Sequence, residues 1–395
     1  MASTLAKGYR FAGVSAGIKK SAKRDVAVLV SDSPATAVGM FTTNRVCAAP
    51  VQCCRRRLPS TKIRGIVINS GNANACTGEQ GLANAERMTE LLAKQVGCSK
   101  DDILVCSTGI IGRPLPMEKV ESGISDAFTA LSASEEGFES AANGILTTDT
   151  GPKTSCREVK LSGGKVVVQG MAKGAAMIGP NMATMLAFVC TDAKVETPIL
   201  QTVLKEAVDQ SFHCISVEGH TSTNDSVLLL ANGASGVEVT SNDRQAFAEA
   251  VAEVCMDLAK EIARDAEEAS HLIVIDVTGT RTNAEARLVA KTVADSALVK
   301  TAIYGNDPNW GRICSAAGYA GIEFAEKDLS LRVNGTLLYD QGTPTDFDAP
   351  TESAKMKASR DTHVELTFGL GQGRCRFWTC DLTVGYVRFN ADYTT

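Results

Sequence analysis

Thr184 follows Ala183 within the stretch GPNMATMLAFVCT, residues 179–191. A threonine can act as a nucleophile without histidine when its own α-amine is free to act as base. That condition requires Thr184 to become a chain terminus. Self-cleavage would supply it: the hydroxyl attacks the Ala183 carbonyl, an N-to-O acyl shift gives an ester, and water hydrolyses the ester. Ala183 is small and leaves room for the tetrahedral intermediate. Gly179-Pro180-Asn181 bends the chain just upstream, and a strained bend lowers part of the barrier. The released amine has an ordinary pKa of about 7.7–8.0, close to working pH. The same residues also read as an ordinary strand entry carrying a hydrogen-bonded threonine.

Four other stretches carry residues that suit acyl transfer. In CSTGIIG (106–112), Thr108 and Gly109 could offer a hydroxyl and a backbone N–H to an oxyanion. The alternative is a plain turn that ends a strand at 103–106. LTTDTGPK (146–153) sets Thr147, Thr148 and Thr150 around Asp149, where the hydroxyls either bind substrate or form a turn network. Lys173 lies eleven residues before Thr184. Beside a new amine it would lower that amine's pKa by like-charge repulsion, or it would anchor a carboxylate; otherwise it is a solvated lysine on a strand edge. Glu267, in ARDAEEAS, falls at the end of a long predicted helix, where a carboxylate is ordinarily on the surface.

The elements that must position these residues alternate in type. Strands are predicted at 26–31, 37–42, 64–70, 103–106 and 165–171, and at 184–191, which is apolar enough to be covered on both faces. Helices are predicted at 81–97, 117–131 and 136–146. After the bend come a helix at 197–211, a strand at 226–231, a long helix near 244–268 and a strand at 272–278. Helices at 283–294 and 309–320 then lead into a strand-rich tail, 329–339 and 363–389. The pattern is α/β, and the turn at 179–183 divides the chain into two comparable halves.

Composition narrows the function. The chain has 395 residues, 44% of them apolar and 22% charged, with a net charge of −5. That balance gives no electrostatic footprint for nucleic acid or an anionic membrane. Six tyrosines, 12 phenylalanines and two tryptophans are few for stacking bases. No apolar run approaches the roughly 18 residues of a membrane span. Thirteen scattered cysteines and four histidines lack disulfide-framework or zinc-ligand spacing, so we expect a reducing compartment and no metal. The glycine-rich NSGNANACTG lacks both a Walker lysine and a GxGxxG pattern. The first 24 residues carry no acid, which raises the question of a transit peptide.

Taken in order, these motifs resemble the bifunctional arginine-biosynthesis protein family (ornithine acetyltransferase, glutamate N-acetyltransferase). The likeness runs from GYRFAGVSAGIK (8–19) to CDLTVGYVRFNADYTT (380–395). Between them lie NSGNANACTG (69–78), STGIIGRPLPM (107–117), TTDTGPK (147–153), MAKGAAMIGPNMATML (171–186), TSTND (221–225), ARDAE (263–267) and KTAIYGNDPNWGRI (300–313). The resemblance implies cleavage between Ala183 and Thr184, giving an α chain of 1–183 and a β chain of 184–395. It implies Thr184 as nucleophile, Thr108 and Gly109 as the oxyanion pair, and substrate contacts at Thr147, Lys173, Thr184, Glu267, Asn390 and Thr395. The implied fold is an α/β layered sandwich of mixed sheets and helices in two lobes, assembled as α2β2.

The implied reaction moves acetyl from N-acetylornithine to glutamate by a ping-pong route. It needs no cofactor, and acetyl-CoA is the one co-substrate left open. Because the likeness begins near Gly8, it leaves no room for a removable transit peptide and implies a cytoplasmic protein. The rival readings are a self-processed amino-acid amidase or aminopeptidase, in which water resolves the acyl-enzyme, and an uncleaved amino-acid-binding protein. Some positions depart from the family pattern. Glu268 stands where glycine is usual, His271 replaces a common lysine, and Glu218 and His220 stand where Asp-type residues are more typical.

Overall fold

Runs of apolar residues with period two, or with no break at all, give fourteen strands among the described residues. The computed structural model describes residues 5–179 and 185–392. Ala183, Thr184 and Thr395 therefore lie outside the described residues. One eight-stranded sheet contains β1 (Tyr9–Val14), β2 (Val26–Phe41), β3 (Ser60–Asn72), β4 (Ile103–Ile110), β5 (Lys153–Leu161), β6 (Gly164–Lys173), β7 (Leu186–Thr191) and β8 (Ser226–Ala231). A six-stranded sheet contains β9 (Leu272–Thr280), β10 (Leu329–Val333), β11 (Thr336–Asp340), β12 (Thr343–Pro344), β13 (Asp361–Phe368) and β14 (Gly373–Cys380).

The first sheet runs in the order β4-β3-β2-β8-β7-β6-β5, with β1 on β2. β7 and β8, from the second half of the chain, thus sit inside a sheet built mostly from the first half. Every residue of both strands is buried, as their uninterrupted apolar sequence requires. They pair in parallel, so a crossover must join them, and the helix Thr197–Gln210 lies within that connection. Side chains alternate between two cores. Leu186, Phe188, Leu228 and Leu230 pack with Met88 and Leu92 of the helix Gly78–Val96. Ala187, Val189, Val227 and Leu229 pack with the helices Thr197–Gln210 and Arg244–Arg264 and with the second sheet.

Register brings one row of the sheet to the same edge. Lys173 pairs with Leu186, Leu186 with Ser226, and Ser226 with Phe41. The residues just beyond that row, Met185 and Asp225, leave the sheet together.

Several expected boundaries are corrected. The strands predicted at 26–31 and 37–42 are one strand, β2, whose register on β3 shifts between Val30 and Ala35 and again before Ala37, while pairing with β8 begins at Thr36. The strand at 103–106 continues to Ile110, so Thr108 and Gly109 belong to β4 rather than to a turn after it. The long helix ends at Arg264 and leaves Glu267 beyond it. The tail is helical over Val384–Asp392 where strand was expected. Its valines and aromatics suit a strand, but the Thr383 hydroxyl accepts the Tyr386 N–H at 2.9 Å and starts a helix. The strands Tyr9–Val14 and Lys153–Leu161 and the helices Ala49–Arg57, Ala297–Tyr304 and Ala349–Ala358 were not anticipated.

Phe188→Ala tests the central position of β7. Removing that buried ring should cost about 3–5 kcal/mol of stability, read as a lowered urea midpoint with an unchanged slope.

Candidate active site

A buried ammonium must be answered by a buried anion, and the end of β6 is built around that demand. Lys173 is 2% exposed. Its Nζ stands 3.9 Å from Asp149 Oδ2. Asp149, also buried, is saturated: Oδ1 accepts Lys153 Nζ and the Gly174 N–H, both at 2.7 Å, and Oδ2 accepts the Thr147 N–H at 2.9 Å. Lys153 then reaches Asp265 at 2.6 Å. Asp265 also accepts the Thr150 N–H at 3.0 Å and the Thr150 hydroxyl. The TTDTGPK segment is therefore a charge relay from β5 to the end of the helix Arg244–Arg264, with Thr147 at its inner end.

Burial opposes the charge on both partners. It would raise the Asp149 carboxyl, but the Lys173 and Lys153 ammonium groups and the Thr147 N–H outweigh it and hold that carboxyl far below the usual range. Burial lowers Lys173, against the pull of Asp149, Asp225 and Glu267. A second lysine joins the same field. Burial brings Lys19 down to about 8, with Asp25 and Asp149 opposing. Asp25 fixes the loop that carries Lys19 by accepting the backbone N–H groups of Ala16, Ile18 and Lys19. Neither Lys19 nor Lys153 was singled out from sequence; the one available signal was Asp149, an acid set in an otherwise uncharged run of threonines that calls for cationic partners when buried.

Thr108 and Gly109 lie where β4 runs beside β3 with an irregular register, Asn72 facing both Thr108 and Ile110. Gly109 has φ +129°, and a Cβ there would come within 2.4 Å of the Gly71 carbonyl carbon. Only glycine fits. The NSGNANACTG segment is the scaffold of this bend. Asn69 accepts the Ser107 hydroxyl at 2.5 Å and donates to the Asn72 carbonyl at 2.8 Å, and Asn72 donates to the carbonyls of Arg113 and Pro114. Asn224 closes it from the other side, donating to the carbonyls of Ala73 at 2.6 Å and Ser107 at 2.9 Å.

The next residue, Asp225, holds the chain immediately after Thr184. Its Oδ1 accepts the Met185 N–H at 3.0 Å, and Ser226 N–H bonds the Met185 carbonyl at 3.2 Å. Burial drives the Asp225 carboxyl up to about 8, with the Met185 N–H, nearby hydroxyls and Lys173 opposing. On the upstream side, the Ile178 carbonyl accepts N–H groups from Val217 (2.8 Å), Glu218 (3.2 Å) and Gly219 (3.1 Å). A Cβ on Gly179 would meet Gly219 at 2.5 Å. TSTND is thus a clamp that touches both the β4 bend and the start of β7, a role its sequence alone did not reveal.

Glu267 and Asn390 come together. Glu267 N–H bonds the Ala175 carbonyl at 2.9 Å, two residues past Lys173, and Asn390 Nδ2 donates to Glu267 Oε2 at 3.3 Å. Glu268, noted above as standing in a glycine position, has φ +55°. The left-handed turn explains why glycine suits the place. His271 is buried and paired with Asp381, 3.2 Å from Nδ1 to Oδ2, so it supports the fold away from the Lys173 cluster. Glu218 and His220 are exposed. Thr147, Lys173, Glu267 and Asn390 therefore surround one region, and Asn224-Asp225 joins it to Thr108 and Gly109.

Asp149→Asn leaves the buried Lys173 without its close anion and Lys153 with Asp265 alone, and should cost about 3–5 kcal/mol at neutral pH. The folded-state pKa of Asp149 is depressed, so its contribution is complete above the unfolded value. The stability gap between wild type and variant should hold above about pH 4 and shrink below it, as measured by urea unfolding across pH.

This arrangement has close relatives. A profile of the ArgJ family matches residues 10–395. The arginine biosynthesis bifunctional protein ArgJ of Rhodopirellula baltica is 46% identical over 395 residues, covering 99% of this chain and 96% of its own. Its counterpart from Thermosynechococcus vestitus is 45% identical over 410 residues, covering 99% and 97%. A crystal structure of the protein of the same name from Bacillus halodurans is 39% identical with a TM-score of 0.50, over 52% of this chain and 98% of the solved one. With a match that spans both sheets and every motif of the site, the chain belongs to the ArgJ family.

Proposed function

We propose that this chain transfers the acetyl group of N2-acetylornithine to glutamate through an acetyl ester on Thr184, after cutting itself between Ala183 and Thr184. Family membership carries this reading. The observation that supports its chemistry is the convergence of a buried ammonium, Lys173, and a carboxylate, Glu267, beside the β4 bend. An amino-acid substrate offers the complementary charges.

The free amine of Thr184 takes the hydroxyl proton as the oxygen attacks the acetyl carbonyl. The Thr108 hydroxyl and the Gly109 N–H stabilise the oxyanion. The tetrahedral intermediate collapses, the proton passes to the departing nitrogen, and ornithine leaves. Glutamate enters, its amine attacks the ester, and Thr184 is regenerated as N-acetylglutamate departs. Lys173 and Glu267 bind the charged ends, with Thr147, Asn390 and Thr395 completing the contacts. No cofactor is required. Acetyl-CoA is the one further acetyl donor left open by this reading.

The cut yields pieces of 1–183 and 184–395. The solved Bacillus halodurans chain, 98% of which is matched by 52% of this one, is about half as long, as one such piece would be. We further propose that the pieces assemble as α2β2 in the cytoplasm. Among the described residues no helix is long and apolar enough to cross a membrane.

Intact mass under denaturing conditions should show two fragments, one beginning at Thr184, and a single uncut chain for Thr184→Ala. A single chain in the wild type would end the proposed mechanism. In the mature enzyme, ornithine release from N-acetylornithine should depend on glutamate; release by water alone would make it an amidase. Thr108→Ala should lower kcat by about 10²–10³-fold, the usual effect of one oxyanion donor.

A further inference from the structure

The chain carries thirteen cysteines, and burial ordinarily leaves such thiols inert. Two of them meet across the fold. Cys214 ends the short turn Phe212–Cys214, and Cys375 lies on β14. Their Sγ atoms stand 3.8 Å apart, although 161 positions separate the residues in the chain. The backbones beside them are already joined. Ile215 forms a bridge with Trp378, and the Ser216 N–H donates to the Trp378 carbonyl at 3.1 Å. A disulfide needs sulfurs about 2.05 Å apart, which leaves about 1.8 Å to close.

The pair opens on a cavity of about 940 Å³ whose lining includes Asp209, Asp276, Arg287 and Arg374 as well as both cysteines. Cys375 is partly exposed, whereas Cys214 is buried. Arg287, on the helix Asn283–Asp295, is fixed beside them. Its guanidinium donates to the Asp209 carbonyl at 2.6 Å, and the Cys214 thiol donates to the same carbonyl at 3.3 Å. The hydrogen bond with Cys214 and the Arg287 charge draw the Cys375 thiol below its ordinary value, against burial. The shared contact and burial push Cys214 the other way. Asp276 opposes a thiolate at Cys375, but Arg376 engages that carboxylate at 2.7 and 2.8 Å. One sulfur is therefore open and inclined to ionise, and the other is shielded behind it. Cys54 and Cys106 also share a hydrogen bond, yet both are wholly buried.

We propose that Cys214 and Cys375 form a reversible dithiol–disulfide site for small hydroperoxides, with Cys375 the attacking sulfur and Cys214 the resolving one. The Cys375 thiolate bonds to one peroxide oxygen as the O–O bond breaks. The departing oxygen takes a proton and leaves as water or an alcohol, and Cys375 is then a sulfenic acid. Cys214 gives up its proton, its sulfur bonds to the Cys375 sulfur, and the S–O bond breaks to release water. The two thiols lose two electrons, and the peroxide gains them. A dithiol reverses the bond through a mixed disulfide. Transient disulfides of this kind suit a reducing compartment, where a permanent one would not persist.

The bond ties the turn to the second sheet three residues before Val217, the first of the N–H donors that hold the Ile178 carbonyl. Both cysteines fall within 184–395, so the site is independent of whether the chain is cut and of the acetyl-transfer reading.

The test treats folded, full-length protein with a small molar excess of hydrogen peroxide, then alkylates, digests and maps the peptides by mass without reductant. Wild type should lose two of its thirteen thiols and yield a linked Cys214–Cys375 peptide, and dithiothreitol should restore both thiols. In Cys214→Ser, dimedone should trap a sulfenic acid on Cys375; in Cys375→Ser, Cys214 should stay a thiol. Arg287→Met should slow the loss of thiols by about threefold, because the smaller thiolate fraction is partly offset by greater nucleophilicity. Folded wild type that keeps both cysteines reduced, or links either one to a different cysteine, overturns the site. Dimedone on Cys214 in place of Cys375 overturns the division of roles. The wild-type map decides the matter even where a serine variant misfolds.

Discussion

The structure around the site depends on keeping one ammonium group out of water. Lys173 ends a strand in the interior of the larger sheet, and Asp149 is the anion that makes this tolerable. Because Asp149 must stay charged, it is surrounded by Lys153, Gly174 N–H and Thr147 N–H. Because Lys153 is then buried too, it needs Asp265, which in turn fixes Thr150 and the end of the helix Arg244–Arg264. One buried charge thus dictates the conformation of three separate segments. The polar residues at its rim inherit their positions from that chain of compensation.

The motifs were legible in the sequence where their chemistry is local. The glycine after Thr108 reads as a turn ending a strand, and Gly109 does adopt a positive φ, though inside β4 and not after it, while the apolar run of β7 announces a strand buried on both faces. What could not be read is the pairing across distance. Asn224 holds the carbonyl of Ser107, 117 residues earlier in the chain, and an asparagine carries no mark of which carbonyl it will find. Asp225 likewise looks like any turn aspartate until β7 and β8 are seen side by side. The helical tail was misread for a related reason: its strand-forming side chains were weighed, while a single threonine hydroxyl at its start was not.

Glu268 shows how a departure from the family pattern becomes informative once its backbone is known. A positive φ at that residue explains the glycine usual there, and the Thr383 hydroxyl that donates to the Glu268 carbonyl at 2.9 Å shows what secures the turn in its absence. The substitution therefore bears on the backbone next to Glu267 as well as on local charge. Asn390 reaches Glu267 from the terminal helix, so that turn also sets how the end of the chain approaches the site.

β7 lies between β6 and β8, hydrogen-bonded along its whole length on both sides. A break in the backbone just before it would leave two polypeptides that share one sheet, each supplying strands the other cannot replace. Such a pair could not part by sliding along an interface, because no interface exists that is separable from the core. Its separation would be unfolding itself. Two halves made as independent molecules would have to fold around each other from the start, and once joined they would not exchange with free copies while the native state persists.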